Sequence, residues 1–142
     1  MPEDETRVLL GFVKTAEHWA WIQKRLAYNV RTEGRRGGVA LNAELLYSQL
    51  VLLYGPSIDL VALGRIVSGP EKVSQVAMRA TGYPDARGDY LCVLLSDIRR
   101  EMMLSDAAAS QVLRLAISLT GVRGMPVSVS WGQLKCAMSP VD

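Results

Sequence analysis

The sequence predicts an α+β domain: a small mixed, curved β-sheet or barrel flanked by three to four helices. Three observations carry this expectation. Apolar runs of strand length recur between Gly/Pro turns, and capped segments of helical period stand between those runs. The chain also has 142 residues, 49% hydrophobic and 21% charged, a size and balance that suit one packed core.

Residues 1–6, Met-Pro-Glu-Asp-Glu-Thr, read as a flexible acidic tail, and 7–142 as a single domain. Arg7 to Val13 is a short apolar run and the first expected strand. Thr15 caps a helix from Ala16 to about Leu26, in which Trp19, Ile22 and Leu26 repeat at three and four and share one face. Trp21, two positions after Trp19, lies about 200° around that helix. Trp19 is therefore assigned to the core and Trp21 to the surface, beside His18 and Arg25 at i−3 and i+4.

Arg31 to Gly38 contains three glycines and no large apolar residue, as an exposed loop would. Leu41 to Tyr47 stays open between a short helix and a strand. Leu50 to Tyr54 reads as a buried strand, ended by Gly55-Pro56-Ser57. Ile58 to Ser68 reads as its hairpin partner, ended by Gly69-Pro70. Glu71 to Thr81 is the next expected helix, with Val73, Val76, Ala77 and Ala80 inward and Gly82-Tyr83-Pro84 as its stop. Asp89 to Ser96 is the clearest central strand.

Ser105 and Asp106 start a helix through Ala109, Val112, Leu113, Ala116 and Leu119, terminated at Gly121. Pro126 to Ser130 alternates as a strand, and Trp131 to Ala137 forms a last turn of helix. The expected order is β-α-loop-β-β-α-β-α-β. Tight turns between several neighbours disfavour parallel βαβ units.

Composition excludes several classes of function. No apolar run approaches the roughly 18 residues of a membrane span, and the acidic N-terminus is unlike a secretory leader, so a cytoplasmic protein is expected. Cys92 and Cys136 lack nearby Cys or His partners and read as reduced core thiols. His18 is the one histidine, which removes multi-histidine zinc sites and leaves any Ser/His/Asp triad dependent on that ring. No metal, cofactor or catalytic residue is assigned. Asp59, Asp85, Asp89 and Asp97 lack an acid/base or two-metal spacing and read as turn or cap residues.

Positive charge is local. Between Lys24 and Arg36, five basic residues stand against Glu33 alone, although the whole chain carries only +2. Arg31, Arg35 and Arg36 could track phosphates or form a solvated loop face. Tyr28 could stack on a base and Asn29 read its edge; the other reading is a helix C-cap asparagine with a tyrosine lid. Trp21 could line the same pocket or only cover a neighbouring loop, and His18 could be a solvated or hydrogen-bonded helix residue or a catalyst.

The strand Leu9-Leu10-Gly11-Phe12-Val13, the tryptophan-bearing helix after it and the block Leu50-Val51-Leu52-Leu53-Tyr54-Gly55 followed by Leu63-Gly64-Arg65-Ile66-Val67-Ser68 resemble the PUA-like superfamily. Within it, the pattern is similar to the EVE, ASCH and YTH group. Tyr83-Pro84 and Tyr90 to Leu94 extend the resemblance, which covers roughly Val8 to Ile98. Ser48-Gln49 replaces the family's glycine-aspartate pair ahead of the barrel strand, and the helix Ala107 to Leu119 lies outside the matched part.

The resemblance implies nucleic-acid engagement, often recognition of a modified base in an aromatic-lined pocket. The first reading is accordingly a non-enzymatic nucleic-acid-binding domain of PUA-like fold, for which a bacterial or phage setting fits. In that reading Arg31, Arg35 and Arg36 hold the DNA or RNA backbone while Trp21, Tyr28, Asn29 and Tyr54 line the base pocket. The alternative is a protein-interaction module that presents the same arginines and aromatics to an acidic partner. An enzyme using His18 with an aspartate is the third possibility.

Overall fold

The computed structural model describes residues 3–31, 48–100 and 108–138. In chain order these form β1 (Arg7–Phe12), α1 (Ala16–Arg25), β2 (Ala27–Arg31), β3 (Leu50–Gly55), a 3-10 turn (Pro56–Ile58) and β4 (Leu60–Val73). Then come α2 (Gln75–Ala80), β5 (Tyr90–Arg100), α3 (Ala108–Thr120), β6 (Val127–Ser130) and α4 (Trp131–Met138). The architecture is α+β as expected, but the sheet is open rather than a closed barrel. Its strand order is β2-β5-β4-β3-β1-β6.

Apolar residues of the central strands serve two cores. Leu9, Val51 and Leu53 join a cluster with Trp21, Ile22, Tyr28, Met78, Tyr90 and Val93. Their neighbours Val8, Leu10, Leu52 and Tyr54 join a second cluster with Val112, Ala116, Val129, Trp131 and Leu134. Successive side chains on a strand point to opposite faces. A strand covered on both faces therefore reads as an unbroken apolar run, and β1 and β3 do. They pair in parallel, Val8 opposite Leu50 and Phe12 opposite Tyr54, whereas every other neighbouring pair is antiparallel. The parallel pair corrects the expectation from tight turns, because β1 connects to β3 through α1 and β2.

Helix α1 begins as predicted: the Thr15 hydroxyl accepts from His18 N–H at 3.1 Å. It ends without a loop. Leu26 adopts a left-handed conformation, φ 50°, caps the helix by donating to the Ile22 carbonyl, and leads directly into β2. Tyr28 and Asn29 are thus strand residues paired with Val93 and Cys92, not a helix cap and lid.

Three further expectations are corrected. β4 runs through Gly69-Pro70 instead of ending there. Helix α2 starts only after Ser74, whose hydroxyl accepts from Ala77 N–H, and it buries Met78 while Val76 is exposed. Cys136 is exposed on α4 instead of lying in the core, whereas Cys92 is half-buried against the first cluster as expected; both are free. The helix expected through Ala109, Val112, Leu113, Ala116 and Leu119 is observed as α3; it buries the first four of these and exposes Leu119. The segment Leu41 to Tyr47 and the start expected at Ser105 and Asp106 lie outside the described residues.

The acidic segment before β1 packs against α4. Asp4 carbonyl accepts from Gly132 N–H at 2.9 Å, Thr6 carbonyl accepts from Trp131 N–H at 2.8 Å, and the Asp4 carboxylate meets Lys135 at 2.7 Å.

Candidate functional site

The structure reverses the expected burial of the two α1 tryptophans. Trp21 is 7% exposed, while Trp19 is only partly buried. The inward face of α1 runs through His18, Trp21 and Ile22, with i, i+3 and i+4 spacing, rather than through Trp19, Ile22 and Leu26. Leu26 lies beyond the helix and is 49% exposed.

Trp21, Tyr28 and Asn29 do come together as buried residues, around the partly buried His18. His18 Nε2–H donates to Asn29 Oδ1 at 2.9 Å. The His18 ring lies 6.2 Å from Tyr28 at 23° and 5.3 Å from Tyr83, edge to face. Tyr83 also meets Trp21 and Tyr90. Trp21 Nε1–H donates to Thr81 Oγ1 at 3.1 Å, and that hydroxyl donates onward to Met78 carbonyl at 2.6 Å.

Burial lowers the His18 pKa below the ordinary 6.5, and the hydrogen bond with Asn29 opposes that shift without cancelling it. Burial also raises the Tyr28 hydroxyl well above the ordinary tyrosine range. The hydroxyl donates to Phe12 carbonyl at 3.3 Å. This arrangement is a filled aromatic core with satisfied polar edges.

Tyr54 does not join that group. It is fully buried in the second cluster, 5.5 Å from the Phe12 ring, and burial pushes its hydroxyl up to about 12 while Arg123 acts in the opposite sense. Arg31 closes β2 opposite Tyr90. Its side chain, and the whole of Arg35 and Arg36, lie outside the described residues. His18 is paired with an amide rather than a carboxylate, and among the described residues no group of three His, Cys, Asp or Glu could hold a metal.

An open cleft lies elsewhere, where β3 begins beside the middle of β4, the irregular part of β5 and the first residue of α4. It encloses about 830 Å³, and its walls include Gln49, Leu63, Arg65, Asp97, Arg99 and Trp131. Gln49 is clamped by its backbone: its N–H donates to Arg7 carbonyl at 3.0 Å and its carbonyl accepts from Ile66 N–H at 3.0 Å. Its side chain remains exposed. The buried Ser48 hydroxyl donates to Ser128 Oγ at 3.0 Å, and Arg7 donates to the Ser128 carbonyl at 2.7 Å.

The two cleft arginines are brought together by sheet register. Leu63 opposes Arg99 and Arg65 opposes Ser96, so β5 carries one residue more than β4 between these pairs. That extra residue is accommodated as a bulge, with Asp97 at φ 53°. Asp97 is therefore a mid-strand residue, whereas Asp59 and Asp85 hold the turn positions expected of them. Arg65, Asp97 and Arg99 are all exposed, and among the described residues none of the three forms an ion pair.

Sequence reasoning did not single out Arg65 or Arg99 as site residues. A signal existed for Arg65, a full charge within an otherwise apolar stretch of central strand, where it requires an opening to solvent; Arg99 follows Ser96 and Asp97 among other charges and carries no such mark. Which two charges lie side by side depends on the bulge, which strand periodicity does not reveal. No family model, curated protein or solved structure matches this chain.

Proposed function

We propose that this chain is a nucleic-acid-binding domain of PUA-like type that binds without catalysis and uses the cleft between β3, β4, β5 and α4. The observation that carries the reading is the pair Arg65 and Arg99, exposed and unpaired among the described residues, on the wall of an 830 Å³ opening. Two guanidinium groups free of carboxylate partners are suited to phosphate oxygens, which accept their forked N–H donors. Leu50, Leu63 and Trp131 supply apolar wall beside them. A strand-helix-strand start and a β3–β4 hairpin in a mixed sheet support the PUA-like part of the proposal.

Arg31, Arg35 and Arg36 enter the proposal as further phosphate-binding groups. A modified-base pocket made of Trp21, Tyr28, Asn29 and Tyr54 would require side chains to leave two separate packed clusters. The cleft therefore carries the proposal instead of the aromatic core.

The test is oligonucleotide binding as a function of salt with Arg65→Glu and Arg99→Glu, alone and together. Removing one arginine–phosphate interaction should flatten the slope of log K against log salt by about 0.7–0.9. Unchanged affinity and slope in the double variant would overturn the reading. Binding of polyglutamate, with no oligonucleotide binding at any salt, would favour an acidic protein partner.

A further inference from the structure

The cleft that would bind phosphate also contains a carboxylate, and bare phosphate gives no reason for one. Asp97 lies two residues from Arg99 on β5 and lines the same opening as Arg65. It forms no ion pair among the described residues, so its acceptor oxygens are not used up by the neighbouring arginines. A carboxylate beside bound phosphate repels it by about 1 kcal/mol at 4 Å in water, and by more where water is excluded. The same group becomes favourable if the ligand also presents an N–H or O–H donor, because an ionised carboxylate is a strong acceptor and only an acceptor.

We propose that the cleft takes a single nucleotide unit of a flexible strand, with its phosphate on Arg65 and Arg99 and a sugar hydroxyl or exocyclic base amine donating to Asp97. This rests on the nucleic-acid reading above and adds the form of the ligand and a specificity-determining residue. Size agrees: 830 Å³ falls within the range of small-ligand sites, roughly 300–1,000 Å³. A paired, stacked duplex could only cross the mouth, with its base donors engaged. The exposed Gln49 amide lines the same wall and offers both a donor and an acceptor to a base edge.

The backbone provides a clean substitution. At φ 53° both Gly and Asn are tolerated. Asp97→Gly removes the acceptor, whereas Asp97→Asn removes the charge and keeps one carbonyl oxygen. Binding is measured for a short single-stranded DNA, the RNA of the same sequence, the corresponding duplex and inorganic phosphate, with thermal unfolding as the control for folding.

Asp97→Gly should weaken strand binding about tenfold or more, the value of a hydrogen bond to a charged group. Asp97→Asn should recover part of that loss, and neither variant should weaken binding of inorganic phosphate. A loss confined to RNA identifies the ribose hydroxyl as the donor; a loss on both strands identifies a base amine. If both variants tighten strand and phosphate binding alike, Asp97 is merely a repulsive charge and the inference falls. If Arg65→Glu with Arg99→Glu has no effect on strand binding, the nucleic-acid reading itself fails. Duplex binding as tight as single-strand binding would overturn the single-nucleotide form.

Discussion

Tyr28 stands where a side chain on Gly11 would stand: a Cβ built on Gly11 would lie 2.9 Å from Tyr28 Cζ. Tyr28 belongs to the edge strand β2 and Gly11 to β1, and three strands separate them in the sheet. A tyrosine can span that gap only because the sheet curls. Its hydroxyl, donating to the carbonyl of Phe12 next to Gly11, pins the curl.

Gly11→Ala should therefore destabilise the fold by about 1–3 kcal/mol through overpacking, although alanine is otherwise benign in a strand. The added methyl would also meet Leu53 Cδ2 at 3.2 Å, so moving the tyrosine ring alone does not clear the space. Tyr28→Leu should cost stability alone but less in the Gly11→Ala background, because it vacates the clashing ring. Urea unfolding of the four members of that double-mutant cycle measures the coupling, and strict additivity would contradict the close approach.

His18 makes stability dependent on pH. Its folded pKa is lowered, so near and below pH 6.5 the unfolded chain binds a proton that the folded chain resists. Its contribution is fully present above the unfolded pKa and is lost as pH falls from there through the folded pKa. His18→Gln should flatten the stability profile in that window while leaving the carboxylate titrations at lower pH in place. Thermal midpoints across that range, compared between wild type and variant, give the result.

The two tryptophans of α1 should differ in the direction opposite to the one expected from a Trp19, Ile22 and Leu26 face. Trp21→Ala removes a buried indole and strands the Thr81 hydroxyl's acceptor side, so a loss of about 3–5 kcal/mol is expected. Trp21→Phe keeps most of the packing and should cost about 1 kcal/mol. Trp19→Ala, at a partly buried site, should cost less than Trp21→Ala. Equal losses at the two positions would contradict the packing of α1.

That pair shows where the sequence was legible. Both faces of α1 contain Ile22, and the choice between them turned on treating His18 as polar and Leu26 as helical. His18 is packed among aromatic rings, and Leu26 is the left-handed hinge into β2, a conformation that its side chain does not advertise. The strands β1 and β3 were readable because burial on both faces produces continuous apolar runs. Their parallel pairing was not, since it depends on the path taken through α1 and β2. The cleft was less legible still: Arg65, Asp97 and Arg99 become neighbours through one bulge.

Tyr54 offers a test that separates a packing residue from a ligand residue. Its hydroxyl is buried and finds no hydrogen-bond partner among the described residues. A buried unsatisfied polar group costs about 1–3 kcal/mol, so removing it relieves a penalty instead of breaking a bond. Tyr54→Phe keeps the ring in place against Phe12. Stability should therefore be unchanged or higher by up to about 1 kcal/mol, and oligonucleotide affinity should not move. A base pocket containing Tyr54 requires the opposite: weaker binding at unchanged stability. Chemical denaturation and binding isotherms on the same preparation decide between them, because only a residue that meets the ligand can change affinity while the folded core stays intact.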